Sequence, residues 1–590
     1  MTADRDHAAR SAHHACPARR EADHVARHGR VAHQHRRPAW GFLCGLLLAF
    51  LALLPLPGLA TPARADVSQW QKDGPLPHDL APYPRAILLA DGRVLAVAET
   101  YTAIRSRDDA TWTAIGPRTF NIGAGELLAL PDGSALLLGG SPTTFANNPF
   151  APTAQVLRFD PRTAAWKQQR DIPIGGRGDH TLTALPDGTI LVAGGAVPGL
   201  SPRQGTLTRP EVARYDPTLD AWTPAAPLVQ ARFSHTATLL PDGRVLVVGG
   251  SVSKMVNSEN AGSDPLASVE IYSPASNISQ LVAPLSRARS GHTATLLHDG
   301  TVLIVGGEAG TGPTTAERYD PQTNGWTSAG NLGPQRSFFA ATQLLDGTVL
   351  VTGGEGTNGK PLAATVTFLP GTNSWQASPA MIAPRARHSA VLVNGTVLVV
   401  GGAPTAAGGT VEHRDMTPAD TVCYGDTGRC VGGAFLAYWQ GHGGLALNGY
   451  PLSDPFPERL EDGQVHLVQY FERVRLEAHP AQPAPYDVLL GQFGRRIHPA
   501  DPPVAPQDGA RYVAATGHNI APRFLAAWEA DGGVAQFGYP LTETLTEILE
   551  DGKIYTVQYF ERARFEYHPE NAAPYDILLG QFGRRILAGR

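Results

Sequence analysis

The chain has 590 residues, of which 64 are Gly, 50 are Pro and 17% are charged. This length exceeds what one compact core supports, so several domains are expected, and the glycine and proline content suits short strands joined by turns. The first 65 residues hold nine basic and four acidic residues, which leaves 39 basic and 49 acidic residues and a formal net charge of −10 for the rest. A mildly acidic chain argues against a nucleic-acid partner, which requires a basic surface.

The N-terminal segment predicts export. Residues 1–39 are a basic leader rich in Arg and His, residues 40–60 form an uncharged apolar run, and Ala63-Arg64-Ala65 follows. A basic region, a hydrophobic core and an Ala-x-Ala site are typical of a secretory signal peptide, so 40–65 is the expected hydrophobic region and cleavage site, cut after Ala65. The protein is therefore expected to be secreted or at the cell surface. In the alternative, residues 40–60 stay uncleaved as an anchor and provide the membrane contact.

Residues 66–416 repeat one pattern seven times. Each copy has an apolar run, an Asp-Gly or Asn-Gly turn and a β-branched run, and all copies but the first then have a Gly-Gly doublet. Such a turn between two β-rich runs is a strong hairpin signal, because Gly tolerates the positive φ that the turn needs. The turns lie at Asp91-Gly92, Asp132-Gly133, Asp187-Gly188, Asp242-Gly243, Asp299-Gly300, Asp346-Gly347 and Asn394-Gly395, and the doublets at 139–140, 194–195, 249–250, 306–307, 353–354 and 401–402.

Later in most copies an aromatic-Asp-Pro sequence precedes a Trp, as in Tyr215-Asp216-Pro217 before Trp222. This pattern resembles kelch repeats, and the resemblance implies an all-β propeller of four-stranded blades, here with seven blades. Trp70 lies in a segment typical of the fourth strand of a blade, but the segments typical of the first three strands are not found before it. Residues 411–413 are typical of a third strand, but no segment typical of a fourth strand follows them. Residues 67–72 are therefore expected to complete the last blade and close the ring.

An Arg-x-x-His pattern precedes the first strand of several blades. It is expected on the face where the connections between blades emerge, and the loops between the second and third strands, which differ in length, emerge on the same face. Arginines that converge there would bind a carboxylate, a sulfate or an acidic peptide. In the alternative, the same side chains hydrogen-bond carbonyl groups of neighbouring blades as part of the scaffold. The candidate ligand-binding residues are Arg177, His180, Arg232, His235, Arg289, His292, Arg336, Arg385 and His388, and the long loops are 141–157, 196–212 and 251–268.

The sequence predicts no catalytic residue, no metal site and no cofactor, because its chemically capable residues recur with the repeats. The Pro-Asp-Gly pattern followed by Gly-Gly is also similar to the central domain of galactose oxidase and related copper radical oxidases. That family uses a Cys cross-linked to a Tyr. The propeller region has no Cys, so the oxidase activity is not expected here.

The pattern changes at residue 417, where two copies of another unit follow at an offset of 89 residues. For example, PYDVLLGQFGRRI at 485–497 returns as PYDILLGQFGRRI at 574–586. Helical spacing followed by strand alternation predicts a tandem of small α+β modules, 417–499 and 500–590. Cys423 and Cys430 have no counterpart in the second copy, and two cysteines in an exported chain predict a disulfide bond.

The order Gly-Tyr-Pro, Asp-Gly and Gln-Tyr-Phe-Glu in each copy resembles LGFP-type repeats of bacterial exported proteins, which implies contact with the cell envelope. We therefore expect an exported binding protein, whose propeller recognises a glycan or an extracellular protein and whose tandem attaches to envelope or polysaccharide. Two alternatives remain. One is a carbohydrate-active enzyme of lyase or isomerase type that uses the Arg and His residues of the propeller face. The other is a non-catalytic structural display scaffold.

Overall fold

A computed structural model describes residues 69–77, 84–98, 101–107, 109–116, 125–140, 153–198, 206–256, 259–307, 312–402, 410–425 and 427–588. The predicted leader and signal peptide lie outside these ranges. Among the described residues, no helix combines the length and the apolar character that crossing a bilayer requires.

Between residues 71 and 415 the described chain forms seven four-stranded antiparallel sheets, numbered 1 to 7, with strands a to d. Sheets 1 to 3 are Arg85–Leu88, Val94–Ala98, Tyr101–Arg105 and Trp112–Ile115; Glu126–Ala129, Ala135–Leu138, Val156–Asp160 and Ala165–Gln168; and Thr181–Ala184, Ile190–Ala193, Val212–Asp216 and Ala221–Ala225. Sheets 4 and 5 are Thr236–Leu239, Val245–Val248, Val269–Ser273 and Ile278–Val282; and Thr293–Leu296, Val302–Val305, Thr315–Asp320 and Gly325–Asn331. Sheets 6 and 7 are Ala340–Gln343, Val349–Thr352, Thr365–Leu369 and Ser374–Ser378; and Ser389–Val393, Thr396–Val400, Val411–Asp415 and Gln71–Lys72.

The sheets are arranged as in a β-propeller. Strand a of each sheet lies beside strand a of the next, and strand a of sheet 7 lies beside that of sheet 1. In sheets 1 to 5 strand b is a continuous apolar run such as Val245–Val248, and sheets 6 and 7 add one threonine at an end of it. The run is buried on both faces because a sheet packs on either side of it. A four-stranded sheet cannot bury both of its faces alone, so the cores lie between neighbouring sheets.

The tryptophans of the repeats fill the spaces between sheets. The Trp222 ring packs on Tyr215 at 4.9 Å between centroids, and the Trp326 ring packs on Tyr319 at 5.0 Å. Each indole also reaches the preceding sheet, since the Trp326 Nε1 donates to the Ala283 carbonyl at 2.8 Å. The aromatic rings thus join neighbouring sheets through buried apolar surface and through a hydrogen bond from the indole nitrogen.

Strand Gln71–Lys72 completes sheet 7, as predicted for residues 67–72. Gln71 pairs with His413 and Lys72 with Glu412, and the Asp73 amide donates to the Val411 carbonyl at 2.9 Å. Trp70 is buried, and its Nε1 donates to the Pro379 carbonyl of sheet 6. Residues more than 300 positions apart in the sequence therefore close the same sheet.

Two two-stranded ribbons follow strand b of sheets 3 and 4: Ala196–Pro198 with Thr206–Thr208, and Ser251–Val256 with Glu259–Pro265. In sheet 6 a shorter ribbon pairs Arg336–Ser337, before strand a, with Glu355–Gly356, after strand b. The first two are neighbours, because the Ser253 amide donates to the Thr208 Oγ1 at 2.9 Å. They form parts of the predicted long loops 196–212 and 251–268. Most of the third predicted loop, 141–152, lies outside the described residues.

After residue 417 two stretches form the same series of elements. The first has strands Thr421–Tyr424 and Arg429–Gly432, helices Gly433–Gly441 and Gly444–Asn448, strands Phe456–Arg459, Val465–Tyr470, Arg475–Ala478 and Val488–Leu490, and helix Phe493–Ile497. The second has strands Arg511–Val513 and His518–Ile520, helices Pro522–Ala530 and Gly533–Phe537, strands Leu545–Ile548, Ile554–Tyr559, Arg564–Tyr567 and Ile577–Leu579, and helix Phe582–Ala588. The predicted disulfide bond between Cys423 and Cys430 is confirmed.

The two stretches interlock through their last helices. A Cβ at Gly494 would lie 1.7 Å from the carbonyl oxygen of Phe560, and a Cβ at Gly583 would lie 1.7 Å from that of Phe471. The amide of Arg495 donates to the Glu561 carbonyl at 3.2 Å, and the matching bond joins Arg584 to Glu472 at the same distance. Each helix therefore packs on the other copy, which requires glycine at the contact.

We predict that Trp70→Ala destabilises the propeller by about 3–5 kcal/mol, because it leaves a cavity and removes the bond to Pro379. Trp70→Phe keeps most of the buried area and is the matched control, with a smaller loss expected. Urea unfolding of the two variants and the parent measures the free energy of unfolding. Equal stability of Trp70→Ala and the parent would contradict the closing role of this strand.

Candidate binding face

The connections that lead into strand a of sheets 3 to 7 share one backbone conformation. In each four-residue Arg-x-x-His or Arg-x-x-Phe segment the third residue has a positive φ, between 51° and 63°. These third residues are Asp179, Ser234, Gly291, Phe338 and Arg387, which we call the mouth ring. The segments lie on the face where the ribbons begin, since Gly178 pairs with Ala196 and Phe233 with Ser251.

The first residue of each segment, the arginine, is turned into the scaffold. The carbonyl oxygens of Arg177, Arg232, Arg289 and Arg385 accept a glycine amide of the preceding sheet, as from Gly195 to Arg232 at 2.8 Å. The arginine guanidinium donates to the first glycine of its own sheet's doublet, as in Arg232 to the Gly249 carbonyl at 2.5 Å. Arg177, Arg289, Arg336 and Arg385 make the same type of guanidinium contact, at 2.7, 2.8, 3.5 and 2.6 Å. The four arginines with both contacts therefore join two neighbouring sheets.

Three of these arginines also form buried ion pairs with glutamates on strand c. The guanidinium–carboxylate distances are 2.6 Å for Arg232 with Glu270, 2.9 Å for Arg289 with Glu317 and 2.9 Å for Arg385 with Glu412. The carboxylates accept amide bonds from the same connections, for example from Val229 at 2.6 Å to Glu270. These glutamates were not among the residues predicted from the sequence, although each follows a Ser or Thr and then a Val or Ala near the start of strand c.

Burial lowers the pKa of arginines of this set with and without a glutamate, since desolvation lowers the pKa of Arg232 although Glu270 opposes the effect. Desolvation lowers the pKa of Arg177 to about 10, and it also lowers the pKa of Arg336. In sheet 6 the position of Glu317 is taken by Val366, so Arg336 has carbonyl partners alone. A buried guanidinium with carbonyl partners remains charged at neutral pH, but its charge is stabilised less than it would be by a carboxylate.

The histidines, which are the fourth residues, are buried against the preceding sheet. A Cβ at Gly194 would lie 2.8 Å from Cε1 of His235, and one at Gly139 would lie 2.6 Å from Cε1 of His180. The His292 and His388 rings make the equivalent contacts with Gly249 and Gly353. Three of the imidazoles have a threonine hydroxyl partner at Nε2, in the pairs His235–Thr181, His292–Thr236 and His388–Thr352. Burial lowers the pKa of His180 to about 4 and those of His292 and His388 to about 3.

The structure describes all nine residues that were predicted to bind a ligand, and the side chains of all nine are buried. Their contacts are those that the scaffold alternative describes: carbonyl groups, glycine doublets and strand hydroxyls of neighbouring sheets. Ligand binding by these side chains stays a prediction.

The mouth ring, in contrast, presents side chains outward. Its backbone is joined from sheet to sheet, since Ser234 donates to the Asp179 carbonyl at 2.9 Å, Gly291 to Ser234 at 3.0 Å and Arg387 to Phe338 at 2.8 Å. Asp179 and Phe338 are exposed, and Ser234 and Arg387 are half-buried. The repeated conformation thus displays side chains that differ at every position.

Phe338 is the most unusual member of the ring. A bulky side chain with φ of 53° is uncommon, and such residues are held in place when the surrounding structure imposes the conformation. The Arg387 guanidinium lies 3.5 Å from the centroid of the Phe338 ring, and its Nε donates to Glu355 at 3.0 Å. An exposed aromatic ring with a stacked arginine is the residue combination enriched at protein interfaces.

A charged group lies near Asp179 on sheets 1 and 2. Arg85 and Glu126 form an ion pair at 2.9 Å, both half-exposed, at the first positions of their strands a. Sheets 3 to 7 have Thr, Ala or Ser at this position. Desolvation by the surrounding protein raises the pKa of Asp179, Glu126 adds to the effect and Arg85 opposes it. Asp179, Glu126 and Arg85 are therefore close enough to influence one another's ionisation.

Within the ranges that the structure describes, no cluster of three or more His, Cys, Asp or Glu side chains is placed to hold a metal ion.

The comparisons with known proteins find kelch sequences. The family model described as the Kelch motif matches residues 288–333, which run from Arg289 through strand d of sheet 5. Together with the sheets, this match supports a kelch-repeat β-propeller.

The chain is also similar to curated kelch-like proteins. It is 31% identical to Kelch-like protein 34 of Homo sapiens over 165 residues, which are 27% of this chain and 24% of that protein. It is 26% identical to Kelch-like protein 23 of Pongo abelii over 271 residues, which are 46% of this chain and 45% of that protein. The chain thus spans a quarter to just under half of the length of these relatives. Among solved structures, a fungal alcohol oxidase of the AA5 family in complex with copper matches at a TM-score of 0.48 and 19% identity, over 60% of this chain and 80% of that one.

We predict that the buried histidines make the propeller less stable in acid. All are neutral at pH 7 in both states, and as the pH falls below 6.5 the unfolded chain binds protons that the folded chain excludes. Stability is therefore full above pH 6.5 and declines down to the folded pKa values of about 4 and 3, by up to about 1.4 kcal/mol per pH unit for each histidine. Urea unfolding at a series of pH values measures this slope.

The matched variant is His388→Phe, because Phe339 occupies the same position in sheet 6. It removes one titrating group and keeps a ring against Gly353. Its stability is expected to fall less steeply with decreasing pH than that of the parent. Identical slopes would show that His388 does not carry part of the pH dependence.

Proposed function

We propose that this chain is an exported, seven-bladed kelch propeller that binds a protein partner through its mouth ring and the ribbons beside it. The leader 1–39 and the hydrophobic segment 40–65 would direct export with cleavage after Ala65, or residues 40–60 would remain as an anchor. The mature protein would be secreted or held at the cell surface. The propeller would comprise residues 66–416 and the tandem modules 417–499 and 500–590.

The observation that carries the proposal is the difference between buried and accessible positions within each Arg-x-x-His or Arg-x-x-Phe segment. The arginine and histidine positions repeat and are buried in the scaffold, whereas the mouth-ring position between them varies and is accessible. A rigid scaffold that displays variable side chains on connections is the usual basis of recognition by repeat folds. The resemblance to kelch-like proteins supports a protein as the partner.

The ribbons enlarge the same face. Met255 and Val256 are exposed near the tip of the ribbon from sheet 4, and the neighbouring ribbon from sheet 3 supports it through the Thr208 contact. Exposed apolar side chains at the rim and charged groups at the centre suit a partner that inserts a polar or basic segment toward Asp179 and Glu126. A glycan partner remains an alternative outcome of the test below.

The enzyme alternative, with an Arg and a His as catalytic groups, needs both side chains open to the channel. The burial of all four histidines against glycine doublets does not favour it.

We predict that Phe338→Ala weakens partner binding by about tenfold or more, because exposed aromatic anchors contribute most of the energy at interfaces. The purified chain would be used to capture extracellular and surface proteins, and a glycan array would be probed in parallel. Leu281→Ala is the matched control, since Leu281 is an exposed apolar residue on strand d, away from the mouth ring. Partners retained equally by parent and Phe338→Ala, or blank results in both assays, would oppose the proposal.

We further propose that the tandem attaches the protein to envelope polysaccharide. Tyr486 and Tyr575 occupy equivalent positions in the two copies, and both are exposed in the loop before the last strand of their copy. Each loop is closed by an amide bond, from His479 to the Asp487 carbonyl at 2.8 Å and from His568 to the Asp576 carbonyl at 2.7 Å. Exposed aromatic rings on ordered loops are suitable platforms for sugar rings.

We predict that the double variant Tyr486→Ala/Tyr575→Ala reduces co-sedimentation with insoluble cell-wall polysaccharide by about tenfold. Each single variant should show an intermediate loss, because the two rings would act together. Tyr512→Ala, at a partly exposed tyrosine without a counterpart in the first copy, is the control. Unchanged sedimentation of the double variant would exclude these rings as the attachment site.

A further inference from the structure

A hairpin of the first C-terminal copy docks on the propeller. Hairpin 1 consists of strands Phe456–Arg459 and Val465–Tyr470, and Arg459 and Val465 are paired at its end. The Arg459 amide donates to the Pro241 carbonyl at 3.2 Å. A Cβ at Gly300 would lie 3.1 Å from Cγ1 of Val465, so the two surfaces are in close contact.

The docking site is a groove between the turns of sheets 4 and 5. It is lined by the strand a to b turns at Pro241-Asp242 and Asp299-Gly300 and by the strand c to d turn at Asp320-Pro321. All three turns lie at the end of the propeller opposite the mouth ring, because strands alternate in direction within each sheet. Asp242 and Asp299 of these turns form ion pairs with Arg244 and Arg318, so their charge is offset within the propeller.

The second copy carries the equivalent hairpin without a partner in this position. Hairpin 2 consists of strands Leu545–Ile548 and Ile554–Tyr559, with Ile548 paired to Ile554 at its end. These isoleucines stand at the positions of Arg459 and Val465, and they are 71% and 68% exposed. Two adjacent branched apolar side chains are thus presented to solvent on an ordered hairpin, where the first copy uses a less apolar pair for docking.

The propeller carries the same three kinds of turn again on sheets 2 and 3, and we call the surface between them the second groove. Sheets 2 and 3 present turns at Pro131-Asp132, Asp187-Gly188 and Asp216-Pro217, which match the three turns of the occupied groove type for type. The side chains of Asp132 and Asp187 are half exposed and form ion pairs with Arg158 and Arg214. Leu219, at the position of Thr323 in sheet 5, is 72% exposed beside this groove.

We propose that hairpin 2 docks in the groove of sheets 2 and 3 of a second copy of this chain. Ile548 and Ile554 would cover Leu219 and the prolines of the turns, as Val465 covers Gly300 within the chain. Asp132 and Asp187 would stay paired with Arg158 and Arg214, and Lys553 with Asp551, so apolar burial rather than charge would hold the contact. The hairpin and the groove are different surfaces, so the contact is heterologous and joins copies head to tail.

The first test is self-association of the full chain, measured by sedimentation velocity from about 1 to about 100 µM. We expect dimers and larger species to increase with concentration, and Ile554→Asp to raise the dissociation constant at least about tenfold. Val229→Asp is the matched control, since Val229 is an exposed apolar residue at the opposite end of the propeller. Circular dichroism melting confirms that both variants are folded.

The second test identifies the groove. p-Benzoylphenylalanine in place of Ile554 is irradiated in the full chain, and cross-linked peptides are identified by mass spectrometry. Intermolecular links to peptides containing residues 131–132 or 216–219 are expected, with none from the same probe in place of Val229. A chain that stays monomeric over the whole concentration range, an Ile554→Asp variant that associates like the parent, or links confined to other peptides would each overturn the proposal.

Discussion

The propeller depends on the arginine that stands between two sheets. Its carbonyl oxygen accepts the amide of the second glycine of one sheet, and its guanidinium donates to the first glycine carbonyl of the next, as Arg232 does with Gly195 and Gly249. A side chain at either glycine would collide with the arginine backbone or the neighbouring histidine. The doublet, the arginine and the histidine are therefore one unit, and a change in one of them leaves the other two with buried polar groups or with a clash.

This unit explains why the same segment can serve recognition. Because the first and fourth residues are fixed by burial, the backbone between them is held in the left-handed conformation whatever the third side chain is. Asp179, Ser234, Gly291, Phe338 and Arg387 all occupy this position with nearly the same φ. The scaffold thus tolerates aspartate, phenylalanine or arginine there, and selection for binding can act on the mouth ring without altering how the sheets are joined.

Local signals predicted much of this structure. The Asp-Gly turns, the Gly-Gly doublets and the disulfide bond follow from short-range rules, and the spare Trp70 strand followed from counting elements. The partners of the arginines could not be predicted in the same way, because Glu270 is 38 residues from Arg232 in sequence and a repeat pattern does not tell which way a side chain points. The repetition of Arg and His indicated their importance, whereas their inward direction, and hence the role of the variable residue between them, required the packed sheets.

The two internal duplications of this chain have a joint consequence. The last helix of each C-terminal copy is locked on the other copy at Gly494 and Gly583, so the two hairpins have a fixed relation to each other. Hairpin 1 is held on sheets 4 and 5, and this contact also fixes the direction in which hairpin 2 presents its isoleucines. Each chain thus carries a second hairpin and a second set of turns of the kind that meet at sheets 4 and 5, and the proposed assembly uses them between copies. Assembly of copies then needs no new type of contact, only the use of the second hairpin in the manner of the first.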